Sequence, residues 1–159
     1  MPADASTRFD ATYRAYTYHI HFEKSPFLFE QSLFYPWQQL HINAMQEAVN
    51  LLPQYKDFRM FCKSGGSQKH YLCNIFSVEM LINEQKMEFH IAANRFLRGM
   101  IRRVVGAILM VGKGKLSLEE FKETLENKNA RFPTINKAVA PQGLFLTEVR
   151  YDYLEDMKR

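Results

Sequence analysis

Residues 74–111 read NIFSVEMLINEQKMEFHIAANRFLRGMIRRVVGAILMV, and this stretch decides the fold. Two runs alternate with a period of two. Phe76, Val78, Met80 and Ile82 share one face of residues 74–83, and Met87, Phe89, Ile91 and Ala93 share one face of residues 87–93. Successive side chains of a strand point to opposite faces, so each run predicts a half-buried strand. Asn83-Glu84-Gln85-Lys86 between them predicts a hairpin turn. The period then changes. From about residue 96 to 111, Met100, Ile101, Val104, Val105, Ile108 and Leu109 recur at helical spacing, with an end near Gly112 and Gly114. Strand, strand, helix is thus the centre of the chain.

The flanks extend the pattern. Residues 8–22 alternate over fifteen positions and predict a long strand, with Arg14, Tyr16, Tyr18, Ile20 and Phe22 on one face. Leu40 to Leu52 has helical spacing through Met45 and Val49, and Pro53 stops it. Residues 57–71 read as a loop around Lys63-Ser64-Gly65-Gly66-Ser67. Ser117 with Glu120 three residues on is a capping box, opening a short helix to about residue 127. Pro133 and Pro141 mark an extended loop. Gly143 to Tyr153 is a last strand, with Phe145, Val149, Tyr151 and Tyr153 on one face. The order β-α-β-β-α-(α)-β predicts an α+β domain. An antiparallel sheet of about four strands carries its helices on one face, the split β-α-β pattern. Residues 8–153 form the domain, with tails at 1–7 and 154–159. The other sheet face stays open, a surface on which aromatic and basic side chains receive RNA.

Composition narrows the class. The 159 residues are 47% apolar and 24% charged, ordinary values for a globular domain. A net charge of +4 permits a nucleic-acid partner without demanding one. Two cysteines are too few for a disulfide framework. The small, polar N-terminus and the lack of a long apolar run predict a cytoplasmic protein with no membrane contact.

The position of the positive charge says more than its total. Arg95, Arg98, Arg102 and Arg103 crowd the expected start of the central helix. Cations at a helix N-terminus are disfavoured by roughly 0.3–1 kcal/mol each. Arg95, Arg98 and Arg102 fall within about 60° of one another on a helical wheel. This predicts an arginine comb aimed at phosphate or carboxylate. Gly99 and Gly106 would each cost about 1 kcal/mol inside a helix, which points to close approach of another backbone. On the first strand, Arg14 and Tyr16 share a face; the spacing fits a base-stacking tyrosine beside a phosphate-holding arginine, and equally a core tyrosine beside a solvated arginine. Cys62, His70 and Cys73 lack a fourth ligand at zinc spacing and read as buried thiols, so no metal is expected. No glycine-rich phosphate loop and no Ser-His-Asp arrangement is present.

Four blocks carry a resemblance. They are Arg8-Phe-Asp-Ala-Thr-Tyr-Arg14-Ala-Tyr16-Thr-Tyr18, Asp57-Phe58-Arg59-Met60-Phe61, Phe96-Leu97-Arg98-Gly99-Met100-Ile101-Arg102 with Val105-Gly106, and Ala140-Pro141-Gln142-Gly143-Leu144. In this order, over about residues 8–151, they resemble the C-terminal part of the tRNA pseudouridine synthase A family. The resemblance implies two related split β-α-β halves with a cleft between them. It implies a cofactor-free isomerase of uridines in the tRNA anticodon stem-loop, working as a homodimer. Arg102 falls on the family arginine that pairs with the catalytic aspartate, and Tyr16 on the tyrosine that packs against the target base. Arg14, Arg95, Arg98 and Arg103 are then the candidates for RNA contact.

Two departures accompany the match. The family's nucleophilic aspartate lies in a Gly-Arg-Thr-Asp-x-Gly-Val-His block, and no such block surrounds any aspartate here. His70-Tyr71-Leu72-Cys73 stands where the family often has a threonine and an arginine. The expectation is an excised C-terminal domain, inactive alone, whose partners are tRNA and the missing N-terminal domain. The alternative is a non-catalytic RNA-binding module on the same sheet, and a third reading is a dimerisation domain with an incidental arginine face.

Overall fold

The alternation of residues 86–93 builds the middle of the sheet. A computed structural model describes residues 6–36 and 39–156. In it strand β4 (Lys86–Ala93) buries Met87, Phe89, Ile91 and Ala93 on one face. It pairs antiparallel with β1 (Ala11–His21) on one side and β3 (Ile75–Ile82) on the other. The register sets Tyr18 opposite Phe89 and Ile20 opposite Met87, so directly facing residues share the core. Asn83 closes the β3–β4 hairpin: its side-chain oxygen accepts from the backbone N–H groups of Gln85 and Lys86 at 2.8 and 2.9 Å.

The sheet has five strands rather than about four. Besides β1, β3 and β4 it contains β2 (Leu33–Phe34) and β5 (Leu144–Tyr151). β2 is a two-residue addition, parallel to the end of β1 at Ile20 and His21. β5 runs antiparallel along residues 11–18 of β1. Helices α1 (Ile42–Leu51), α2 (Met100–Gly112) and α3 (Leu118–Leu125) supply the other half of one core with Tyr18, Ile20, Met80 and Phe89. Gly112 lets α1 approach α2, since a Cβ there would lie 2.5 Å from the Met45 sulfur. The opposite sheet face carries Tyr13, His19, Glu79, Leu81, Glu88 and His90, all half-buried or exposed.

Several boundaries move, each for a local reason. The central helix starts at Met100, not near residue 96, because Gly99 sits in the left-handed region at φ +70. Asn127, at φ 61 just beyond α3, likewise stops that helix before residue 127. Phe76 does not share a face with Val78, Met80 and Ile82. The β3–β4 register shifts between Ile75 and Ser77, and this bulge turns Phe76 outward, stacked on Tyr13 with ring centres 5.7 Å apart. Pro133 lies in the first turn of a short helix, α4 (Phe132–Ile135), where a missing N–H costs nothing. Pro141 opens a 3-10 turn, Pro141–Gly143. The expected loop at 57–71 contains another, Arg59–Phe61, which buries Phe58 and Phe61.

The last strand ends at Tyr151 and continues into α5 (Asp152–Asp156). Its faces also differ from simple alternation. The β1–β5 register shifts between Ala15 and Tyr16, leaving Thr147 as an extra residue. Phe145 therefore faces Thr17, whereas Val149 faces Arg14, on opposite sides of the sheet. Of the two expected tails, residues 1–5 and 157–159 lie outside the described residues.

Two stability predictions follow from this packing. A Cβ on Gly106 would come 2.3 Å from the Lys137 carbonyl oxygen, so the backbone of residues 136–140 lies directly on α2. Gly106→Ala is expected to destabilise the chain by about 1–3 kcal/mol, although alanine is the better helix former by about 1 kcal/mol; a raised melting temperature would contradict the contact. The capping box is complete, with Ser117 Oγ accepting from the Glu120 N–H at 3.0 Å and Glu120 accepting from the Ser117 N–H at 2.9 Å. Ser117→Ala should cost about 1 kcal/mol in denaturant titration.

Candidate active site

Arg102 stands in the first turn of α2, where the helix dipole opposes a cation. Its half-buried side chain is held by backbone rather than by a carboxylate. The Arg102 Nε–H donates to the Val139 carbonyl at 2.6 Å, and the Arg102 carbonyl accepts from the Val139 N–H at 3.1 Å. Among the described residues no carboxylate lies within ion-pair distance of its guanidinium. The planar fork thus keeps its terminal nitrogens available for a bidentate acceptor.

β1 supplies the neighbouring rings. Tyr16 and Tyr18 point to the helix-covered face of the sheet, roughly 7 Å apart along the strand. Tyr16 is half-buried and meets Phe96 edge-on, with ring centres 5.5 Å apart. Tyr18 is fully buried, and its hydroxyl donates to the Ala140 carbonyl at 2.5 Å. Burial pushes the Tyr18 hydroxyl well above the usual tyrosine range, while the nearby Arg102 charge pulls it down. Tyr16 therefore lies on the same face as the helices, at the margin of the core, and not on the open sheet face.

The comb of four arginines does not form on one helix. With α2 beginning at Met100, Arg95 and Arg98 belong to the turn before it. Arg95 is tied down: its Nη1 contacts His70 Nδ1 at 3.0 Å and donates to the carbonyls of His70 and Leu72. Arg98 is exposed, and Arg103 is half-buried with a terminal nitrogen against Gly99. Neither forms an ion pair among the described residues. Arg14 is also occupied. It donates to the carbonyls of Ala11 and Asn94 at 3.1 and 3.0 Å and to that of Arg8, closing the end of the sheet.

Cys62, His70 and Cys73 do not assemble a metal site; among the described residues no group of three ligating side chains is close enough for one. Burial pushes the Cys73 thiol up to about 11, which keeps it protonated. Asp57 pairs with Arg59 at 2.6 Å, and Asp152 accepts from Thr12 at 2.8 Å. Neither faces Arg102.

Sequence reasoning missed the groups that hold Arg102 and Tyr18. Val139 and Ala140 carry no chemical signature, because they act through carbonyls. Nothing in the spacing of Phe96 marks it as the wall against Tyr16. The signal that could have found the region is the pair of glycines. Gly106 admits Lys137, and a Cβ on Gly143 would fall 2.5 Å from the His19 carbonyl and 3.0 Å from the Tyr18 ring.

Comparison with known proteins bears on the family. The family profile described as tRNA pseudouridine synthase matches residues 55–152. The chain is 39% identical over 148 residues to tRNA pseudouridine synthase A of Azobacteroides pseudotrichonymphae, covering 93% of this chain and 58% of that protein. It is 36% identical over 146 residues to the protein of that name from Gloeobacter violaceus (91% and 47% covered), and 36% identical over 157 residues to the one from Porphyromonas gingivalis (92% and 62%). The chain thus spans about half the length of the curated relatives it matches. The profile match covers more than half of the sequence, and the chain belongs to the tRNA pseudouridine synthase family.

Proposed function

We propose that this chain supplies the arginine-and-tyrosine side of a uridine-isomerising site, and that polypeptide outside it supplies the nucleophilic aspartate. The substrate is tRNA, at uridines of the anticodon stem-loop, and the working enzyme is a cytoplasmic homodimer of two-domain subunits that needs no cofactor. The observation that carries the reading is the Arg102 guanidinium, anchored by Nε beside the Tyr16–Tyr18 face with no carboxylate partner among the described residues.

The chemistry assigns each group a role. An aspartate oxygen bonds to the ribose C1′ as the N1–C1′ bond breaks, and the base rotates. C5 then bonds to C1′ and expels the carboxylate, and the C5 proton is lost while N1 gains one. The nucleophile must be ionised, and a guanidinium beside it favours the charged form. Tyr16 offers a ring to the base and a hydroxyl near its proton. Arg98 and Arg103, free of ion pairs among the described residues, suit the phosphates. Arg14 and Arg95 contact RNA only with the N–H groups their carbonyl partners leave over.

A non-catalytic RNA-binding module has less support. Sheet-face binding needs exposed rings and cations, and gives no reason to seat an arginine half-buried at an unfavourable helix end. In an enzyme carrying this segment, Arg102→Lys and Tyr16→Phe should each lower the rate of uridine-to-pseudouridine conversion by roughly 10²-fold or more, and the 159-residue chain alone should show no conversion. Turnover by the isolated chain would falsify the division of labour. Affinity for tRNA should fall steeply with salt, and replacing Arg98 and Arg103 with Gln should flatten the log–log slope by about one each. An unchanged slope in the double variant would remove both from the interface.

A further inference from the structure

We infer that Tyr18 is a positioning residue for Arg102, acting through the backbone of residues 137–143, which it clamps from the strand that also carries Tyr16. The inference rests on the reading of Arg102 given above and adds a residue to it.

Arg102 and Tyr18 lie on different elements and grip adjacent carbonyls. Arg102 Nε–H holds the oxygen of Val139, and the Tyr18 hydroxyl holds the oxygen of Ala140. The segment is fixed on both sides of this grip. Lys137 is seated against Gly106, one turn beyond Arg102, and Gly143 is pressed on the Tyr18 ring and the His19 carbonyl. Val139 also returns its N–H to the Arg102 carbonyl. The side chain of Arg102 thus takes its direction from a strap whose position is set by β1.

The clamp has the properties such a link needs. Tyr18 is fully buried in the core, so its hydroxyl has little freedom. Burial keeps the hydroxyl protonated, and a neutral phenol can donate to a carbonyl at any working pH. Without it the carbonyl of half-buried Ala140 would lose its partner, and the strap would shift toward another donor. Any such movement changes the acceptor that Arg102 holds. Tyr16, two residues along the same strand, would keep its own place. The distance between the base-contacting ring and the guanidinium is therefore governed by one phenol.

The test uses the 159-residue chain and does not depend on turnover. The Arg102 Nε–Hε resonance is assigned by its disappearance in Arg102→Lys, and its hydrogen exchange is measured at mildly acidic pH in Tyr18→Phe. Phenylalanine keeps the ring and removes only the hydroxyl. The expected result is a loss of Arg102 Hε protection of about tenfold or more. Ser117→Ala, which weakens α3 far from the strap, serves as the control and should leave that protection within about twofold. Equal protection in wild type and Tyr18→Phe would overturn the inference, as would an equal loss in both variants, which marks general loosening. Should Tyr18→Phe fail to fold, Gly143→Ala tests the same strap from its other end with the same readout. Because exchange is read without substrate, failure of the clamp is distinguishable from failure of the isomerase reading.

Discussion

A guanidinium drawn partly out of water needs an acceptor for each N–H, and the Val139 carbonyl serves only one of those on Arg102. Everything nearby is organised around that single anchor. α2 brings Arg102 to its first turn, Gly106 makes room for the segment that contains Val139, and Tyr18 holds the next carbonyl. A side chain fixed at Nε presents its two terminal nitrogens in a known plane. That plane is the geometry in which a carboxylate or phosphate is received by two parallel hydrogen bonds. The remaining cost, a cation at a positive helix end, is recovered only when such an anion arrives.

The sheet delivers the second half of the arrangement through irregularities rather than regularity. A bulge at Phe76 sends a large ring to the far face, where it stacks on Tyr13. A second at Thr147 reverses the facing of β5 midway, so that Phe145 meets His19 while Val149 meets the Arg14 side. Register is otherwise strict along β1 and β4, because eight paired residues fix which side chains enter the core. Tyr16 and Tyr18 keep their places because that pairing is unbroken where they stand.

Much of this was legible in residue order. The apolar alternation of β4, the buried stripe of α2 from Met100 to Leu109 and the capping box at Ser117 are local patterns with local causes. Gly106 announced a close approach that is now visible as the Lys137 carbonyl. What escaped reading depends on partners far along the chain or on one backbone angle. A positive φ at Gly99 took Arg95 and Arg98 off the helix, and no periodicity reports a φ value. The bulges arise between strands, so neither strand shows them alone. Val139 and Ala140 act through main-chain oxygens that every residue possesses, which leaves no trace in side-chain identity. Arg14 and Arg95 looked free because their acceptors are carbonyls of other segments.

The pairing of β1 with β5 joins Ala11 to Tyr151, residues far apart along the sequence. Contacts so distant in sequence form late, since a large loop must close before they are rewarded. During synthesis β1 emerges well before β4, and its other edge waits longer still, for β5. Until then a row of unpaired amides and carbonyls is open to any passing strand. The same long-range closure that brings the proline-glycine turn onto Tyr18 therefore leaves one edge of β1 open until β5 is made.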